Sequence, residues 1–324
     1  MASLVSTQSY HLVKKIALGG EGGWDYLTLD SVARRLYVTR ATRVTVLDVD
    51  TSWIVGEIPN TAGMHGVALA PELGRGFTSN GRASTASIFN LKTLRVLGQV
   101  KTGLNPDAIV YDPFSQHVFT FNGKSSSVTV FDANSAKVVG TIPLSGNPEF
   151  AVADGLGRIY VNLESTSEVL TLDTSNLSVQ ARSPLAPCSE PTGMAMDRQQ
   201  QLLFIGCRNR MMAVVDANSG QIKASLSIGG GVDAIAFDPA TKLAFSSNGE
   251  GTLTVVHEDS KDKFSVLDSV VTQRGARTMA LDLKTHNVFL ATARFGPMPT
   301  PTPGQPFARP SIIPGTFVIL TFGE

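Results

Sequence analysis

DAIVYDPFSQHVFTFNGKSSSVTVFDANSAKVVGTIP, Asp107 to Pro143, reads as four short strands broken by turn residues. Asp107 to Asp112 is apolar between its two acids, His117 to Asn122 carries aromatics, and Ser127 to Asp132 and Lys137 to Pro143 are rich in β-branched residues. Asp-Pro, Asn-Gly and Ala-Asn-Ser separate them, each a turn signal between strand-forming runs. The phrase recurs along the whole chain. Its closing position falls at Asp30, Ala70, Asp112, Asp154, Asp197, Asp238 and Asp282, with spacings of 40, 42, 42, 43, 41 and 44 residues. All-β repeats of about 40 to 50 residues are the mark of propeller blades. The expected fold is therefore an all-β, seven-bladed β-propeller of four-stranded antiparallel blades.

The ends of the chain bear on closure. The last repeat reaches its third strand at Gly315 to Phe322, while Tyr10 to Leu18 is a lone strand ahead of the first blade. Pairing them removes two open sheet edges. The inner strands, such as Ala108 to Tyr111 and Ala234 to Phe237, are apolar on both faces and read as core. No linker interrupts the period, so residues 1–324 are expected to form a single domain.

Composition narrows the partners. Lysine plus arginine and aspartate plus glutamate each number 27, which leaves no basic surplus for nucleic acid. No apolar run approaches the roughly 20 residues of a membrane span, and Met1 to Tyr10 lacks the order of a signal peptide. A soluble monomer with a small-molecule ligand is expected. Its compartment is periplasmic or extracellular if an export signal has been removed, and otherwise cytoplasmic.

The phrases RRLYVTR (Arg34 to Arg40), RIYVNLESTSEVLTLDTSN (Arg158 to Asn176) and SSVTVFDANSAKVVGTIPLSGNP (Ser126 to Pro148) resemble the YVTN-type β-propeller repeat family. The resemblance spans essentially the whole chain and implies the fold, not a particular chemistry. RGFTSN and LLFIGC, in the second and fifth blades, depart most from the family phrase.

Five residues before each closing position stand Asp25, His65, Asp107, Glu149, Thr192, Asp233 and Arg277, read as the first residues of the inner strands and as a ring around the axis. Six of the seven are ionisable in a chain that is 17% charged. The ends of the second strands, Arg40, Asn80, Asn122, Leu163, Cys207, Asn248 and Thr292, are expected on the same face, completing a polar funnel. A water-filled polar channel accounts for such a ring. Crowded like charges, however, favour a cation among them. His65, which Gly63 and Gly66 leave room around, is expected with Asp25, Asp107, Glu149 and Asp233 to hold a divalent ion, and the oxygen-rich set suits Ca²⁺, Mg²⁺, Mn²⁺ or Zn²⁺.

Arg277 reads either as a salt-bridge partner of its ring neighbours or as a fork for a substrate carboxylate or phosphate, with Arg274 beside it. Glu190 is the candidate general base, and His65, Glu190 and Arg277 form the expected catalytic set. Arg40, Asn80, Asn122 and Asn248 are expected to bind substrate, with Trp24, Phe150 and Phe295 as apolar contacts. Arg294 to Pro314 holds seven of the 17 prolines and is expected to lie over the funnel as a lid.

No Walker loop, dinucleotide fingerprint, G-x-S-x-G elbow or zinc-finger cysteine pair occurs. Whether Cys188 and Cys207 are bridged stays open on spacing alone. The functional expectation is a metal-dependent lyase, hydrolase or isomerase acting on a small polar or anionic substrate. The alternatives are a non-catalytic ligand-binding or scaffold propeller and a metal carrier.

Overall fold

In a computed structural model the described residues are 9–300 and 310–324. Among them lie seven antiparallel sheets of four strands, each sheet one blade. The inner strands are Trp24–Asp30, Met64–Ala70, Pro106–Asp112, Pro148–Ala153, Pro191–Asp197, Val232–Asp238 and Thr278–Leu281. Each hydrogen-bonds to the strand that follows it, as Asp112 pairs with His117 and Val110 with Phe119 in the third blade.

The recurrent acid stops the inner strand by accepting backbone hydrogen bonds from the turn beyond it. Asp30 takes the amides of Val32 and Ala33 at 3.1 and 2.8 Å, and Asp154, Asp197, Asp238 and Asp282 take the amide two residues on. Such Asx turns satisfy amides that would otherwise be orphaned at a buried strand end. Ala70 cannot do this. Its place is taken by a single 3-10 turn, Pro71–Leu73, which ends on the left-handed Gly74 (φ 61°).

Burial is graded from the middle of each blade outward. The second and third strands supply the largest buried side chains, among them Tyr37, Phe77, Phe119, Phe204 and Phe245. The fourth strands, such as Val96–Lys101, are mostly exposed. Closure is by the N-terminal strand: His11–Ala17 lies against Val318–Gly323, His11 opposite Gly323 and Ala17 opposite Val318. Cys188 and Cys207 form a disulfide with their Cα atoms 5.7 Å apart, which ties the loop ahead of the fifth inner strand to the end of the second strand of that blade. No helix among the described residues is long and apolar enough to cross a membrane. The export question raised by Met1 to Tyr10 falls almost wholly outside the described residues.

Candidate functional site: the mouth of the channel

Pairing between the first and second strands is regular at the closing acid and breaks near the axis. The register shifts between Trp24 and Leu27, Met64 and Val67, Pro106 and Ile109, Pro148 and Ala151, Pro191 and Met194, and Val232 and Ala234. Asp25, His65, Asp107, Glu149, Thr192 and Asp233 all sit inside these irregular stretches. They are therefore the second residues of their strands, not the first, and Arg277 precedes its strand altogether. A bulge frees a residue from the ladder and re-aims its side chain. That is how five of these blades turn an ionisable group toward one another at the axis.

Asp25, His65, Asp107, Glu149, Asp233 and Arg277 line one throat of about 160 Å³. His65 Nδ1 lies 2.6 Å from Asp25 Oδ2 and 3.6 Å from Asp107 Oδ1. One ligand atom from each of these three residues falls within 4.8 Å of the other two. Arg277 donates from Nη1 to Asp233 Oδ1 at 3.0 Å. Thr192 is buried, its hydroxyl placed against the carbonyls of Gly206 and Val232.

Burial alone would lower the pKa of His65, but its hydrogen bond to Asp25 and the charges of Asp107, Asp25 and Glu149 outweigh that and raise it to about 9. The imidazolium is thus the favoured form at neutral pH. Burial, with the neighbouring carboxylates, pushes Asp107 up to about 7 against the opposing pull of His65. Burial and the charge of Asp107 push Glu149 up to about 8. The ring relieves its crowding in two ways, by pairing carboxylates with His65 and Arg277 and by retaining protons.

Sequence reasoning missed Tyr26. It donates from its hydroxyl to the Glu149 carbonyl at 3.2 Å and stacks on Phe150, ring centroids 5.4 Å apart. First and fourth blades thus meet across the axis. Burial and the surrounding carboxylates raise the Tyr26 pKa well above the ordinary value, so it stays a donor. A signal was present: the residue after each ring position is Tyr26, Gly66, Ala108, Phe150, Gly193, Ala234 or Thr278, two aromatics among small residues. Phe150 is accordingly part of the throat wall and stacking partner of Tyr26.

The expected outer ring is not at the mouth. Arg40, Asn80, Asn122, Leu163, Cys207, Asn248 and Thr292 are at most 2% exposed. Arg40, Asn80, Asn122, Leu163, Cys207 and Asn248 pair opposite the residue before the bulge, and all seven are buried. Asn80 donates to Thr85 and Ser87, Asn122 to Ser127 and Thr129, and Asn248 to Thr252 and Thr254, tying second strands to third. Arg40 donates to the carbonyls of Gly19 and Glu21 and lies over the Phe317 ring at 3.9 Å. Burial, with the charge of Arg43, lowers its pKa to about 10.

Glu190 is exposed and stands 3.9 Å from Arg208, whose other contact is Glu164 at 2.6 Å. It does not line the throat. Arg208 does, and was not singled out from sequence. A glycine not singled out from sequence, Gly81, also lies beside the His65 ring. A Cβ at Gly63 would meet Arg82 and one at Gly66 would meet Ile109, whereas one at Gly81 would stand 2.7 Å from His65 Nε2.

Above the throat opens a chamber of about 720 Å³ that shares Asp233, Arg208 and Arg277 with it. Trp24, Arg274 and Phe295 line this chamber together with Pro310 and Ile312. Trp24 packs on Phe295 and Phe317 with ring centroids 6.1 and 5.1 Å apart. The described ends of the proline-rich loop therefore border the funnel, joined by a bridge between Phe295 and Ile312. Residues 301–309 of the expected lid lie outside the described residues.

No family model matches this chain, and no curated protein matches it. Among solved structures the chain is similar to Kuenenia stuttgartiensis hydrazine synthase, at 14% identity and a TM-score of 0.73 over 83% of this chain and 92% of that one. It is likewise similar to a chain of a mitotic checkpoint complex, at 12% identity and a TM-score of 0.76 over 90% of this chain and 92% of that one. At such identities these likenesses carry the propeller fold and nothing of its chemistry.

Proposed function

We propose that the mouth of the channel is a divalent-metal site of the catalytic kind, at which a small anionic substrate undergoes hydrolysis, elimination or isomerisation. The observation that carries this reading is the approach of ligand atoms from Asp25, His65 and Asp107 to within 4.8 Å of one another at an open mouth. Three protein ligands leave coordination positions for water and substrate. A hard or borderline ion, Ca²⁺, Mg²⁺, Mn²⁺ or Zn²⁺, suits the two carboxylates, and it would polarise a bound oxygen. Arg277 would hold the substrate's negative charge. Glu149, raised to about 8, would keep or release a proton near neutral pH.

A non-catalytic ligand-binding propeller is the second reading, and His65 favours it: as an imidazolium between two carboxylates it already supplies a cation. A metal must then displace its proton. The two readings separate by metal uptake against pH, measured by calorimetry and elemental analysis on stripped protein. With His65 at about 9 and Asp107 at about 7, uptake should strengthen as pH rises from 6 to 9, by up to about tenfold per unit for each proton displaced. Proton release should accompany it. No uptake of any of the four ions at pH 9 would leave the binding propeller as the better reading.

On its repeat phrases the chain is read as one YVTN-type domain over residues 1–324. The Cys188–Cys207 disulfide supports an oxidising compartment, periplasmic or extracellular. Thiol titration of the denatured protein, isolated without reductant, should give none of its two cysteines free. Two free thiols would return the protein to a reducing compartment.

A further inference from the structure

The chamber beside the throat differs from it in chemistry. The throat is walled by carboxylates, whereas Trp24, Phe295, Val232, Pro310 and Ile312 give the chamber an apolar wall, with Arg274 and Arg277 among its other residues. Among its described lining residues the one carboxylate, Asp233, is bonded to Arg277. Phe295 is placed by two features. The bridge to Ile312 fixes its backbone, and Gly275, at φ 82°, lets the ring lie where any Cβ would stand 2.5 Å from it. The Trp24 indole Nε1 is buried with no hydrogen-bond partner, a donor that a native wall seldom leaves unmatched.

We propose that this chamber takes an aromatic carboxylate, its ring against Trp24 and Phe295 and its carboxylate on Arg277 with Arg274 beside it. The inference rests on the metal-site reading for its consequence, which is to hold the carboxylate end of the substrate beside Asp25, His65 and Asp107. A volume of about 720 Å³ falls within the roughly 300–1,000 Å³ of small-molecule sites, far more than acetate would fill. Aromatic faces supply contact for a planar body. Guanidinium forks match carboxylate geometry, and one salt bridge to Asp233 does not exhaust the five donors of Arg277.

The test is calorimetric titration of the full chain, metal-free, with 2-naphthoate, 2-naphthamide and acetate. Naphthoate should bind at least about tenfold more tightly than the amide, which lacks the charge, and than acetate, which lacks the ring. Arg274→Gln, on the exposed rim, should weaken naphthoate several-fold and leave the amide unchanged. Phe295→Ala should weaken both aromatic probes but not acetate, and Phe295→Leu serves should the alanine variant melt early. Equal affinity for naphthoate and its amide, or no response to either position, would overturn the proposal. Metal uptake is measured on the same samples. Uptake without naphthoate selectivity removes this inference alone, and selectivity without uptake removes the metal site alone.

Discussion

Deleting residues 10–18 should cost several kcal/mol and lower the thermal midpoint by about 5 °C or more, a shift that follows from losing the fourth strand of the seventh blade. His11–Ala17 is itself mostly exposed, so its own apolar burial is not the main term. What it covers is Val318–Gly323, every residue of which is buried. Its flanks act as anchors. Tyr10 is 3% exposed, meets Phe245 edge-on at 4.9 Å and donates from its hydroxyl to the His286 carbonyl at 2.8 Å, while Ile16 and Leu18 pack beside Phe317 and Ile319. Full burial of an apolar side chain contributes about 1.5–3 kcal/mol, and the half-buried Ile16 and Leu18 contribute less. Without the strand, the ladder of Val318–Gly323 becomes an open apolar edge, where the native edge shows Lys14 and Lys15 to solvent. Melting of the truncated chain, with light scattering to detect association, checks this. A midpoint within about 2 °C of the full chain would mean that closure contributes little.

His65→Ala should reduce divalent-metal affinity by about 100-fold or more, together with any activity, and leave the fold intact. The side chain stands at the mouth, 26% exposed, and does not fill the core. Gly81→Ala is the finer probe. The new methyl would stand 2.7 Å from His65 Nε2, and because that atom ends a flexible side chain, the ring should shift while the backbone stays. Metal affinity should fall at least tenfold with a nearly unchanged melting midpoint. Should both variants keep full metal content by elemental analysis, Asp25, His65 and Asp107 would be an internal ion-pair cluster and nothing more.

Much of the architecture was legible because turns and strand interiors obey local rules. An acid that caps a turn through its own backbone neighbours leaves the same mark in every blade, so Asp30, Asp112 and Asp238 announce the period without any knowledge of tertiary contacts. The ionisable ring was legible for the same reason, since its members stand at one offset from those acids.

The outer ring was misplaced because the shared end of two antiparallel strands does not by itself turn a side chain into the funnel. In an unbroken ladder, alternation carries the ends of the second strands to the same face as the ring. The bulges at Trp24–Leu27, Met64–Val67 and Pro106–Ile109 break that alternation, so Asn80 and Asn122 turn into their own blades. Glu190 failed as a ring neighbour because two residues along a chain is not proximity, and Arg208, from a different turn, reached the throat instead.

The order of residues by itself determined the strands, the turns, the sevenfold repeat and the charge at the axis, because each depends on neighbours within one blade. Only the tertiary structure decided that Tyr26 spans the axis to Phe150, that Gly81 lies against His65, and that Trp24, Arg274 and Phe295 share a chamber. Those contacts join separate blades, and their geometry follows from bulges, close approach and ring closure, which no local pattern of residues encodes.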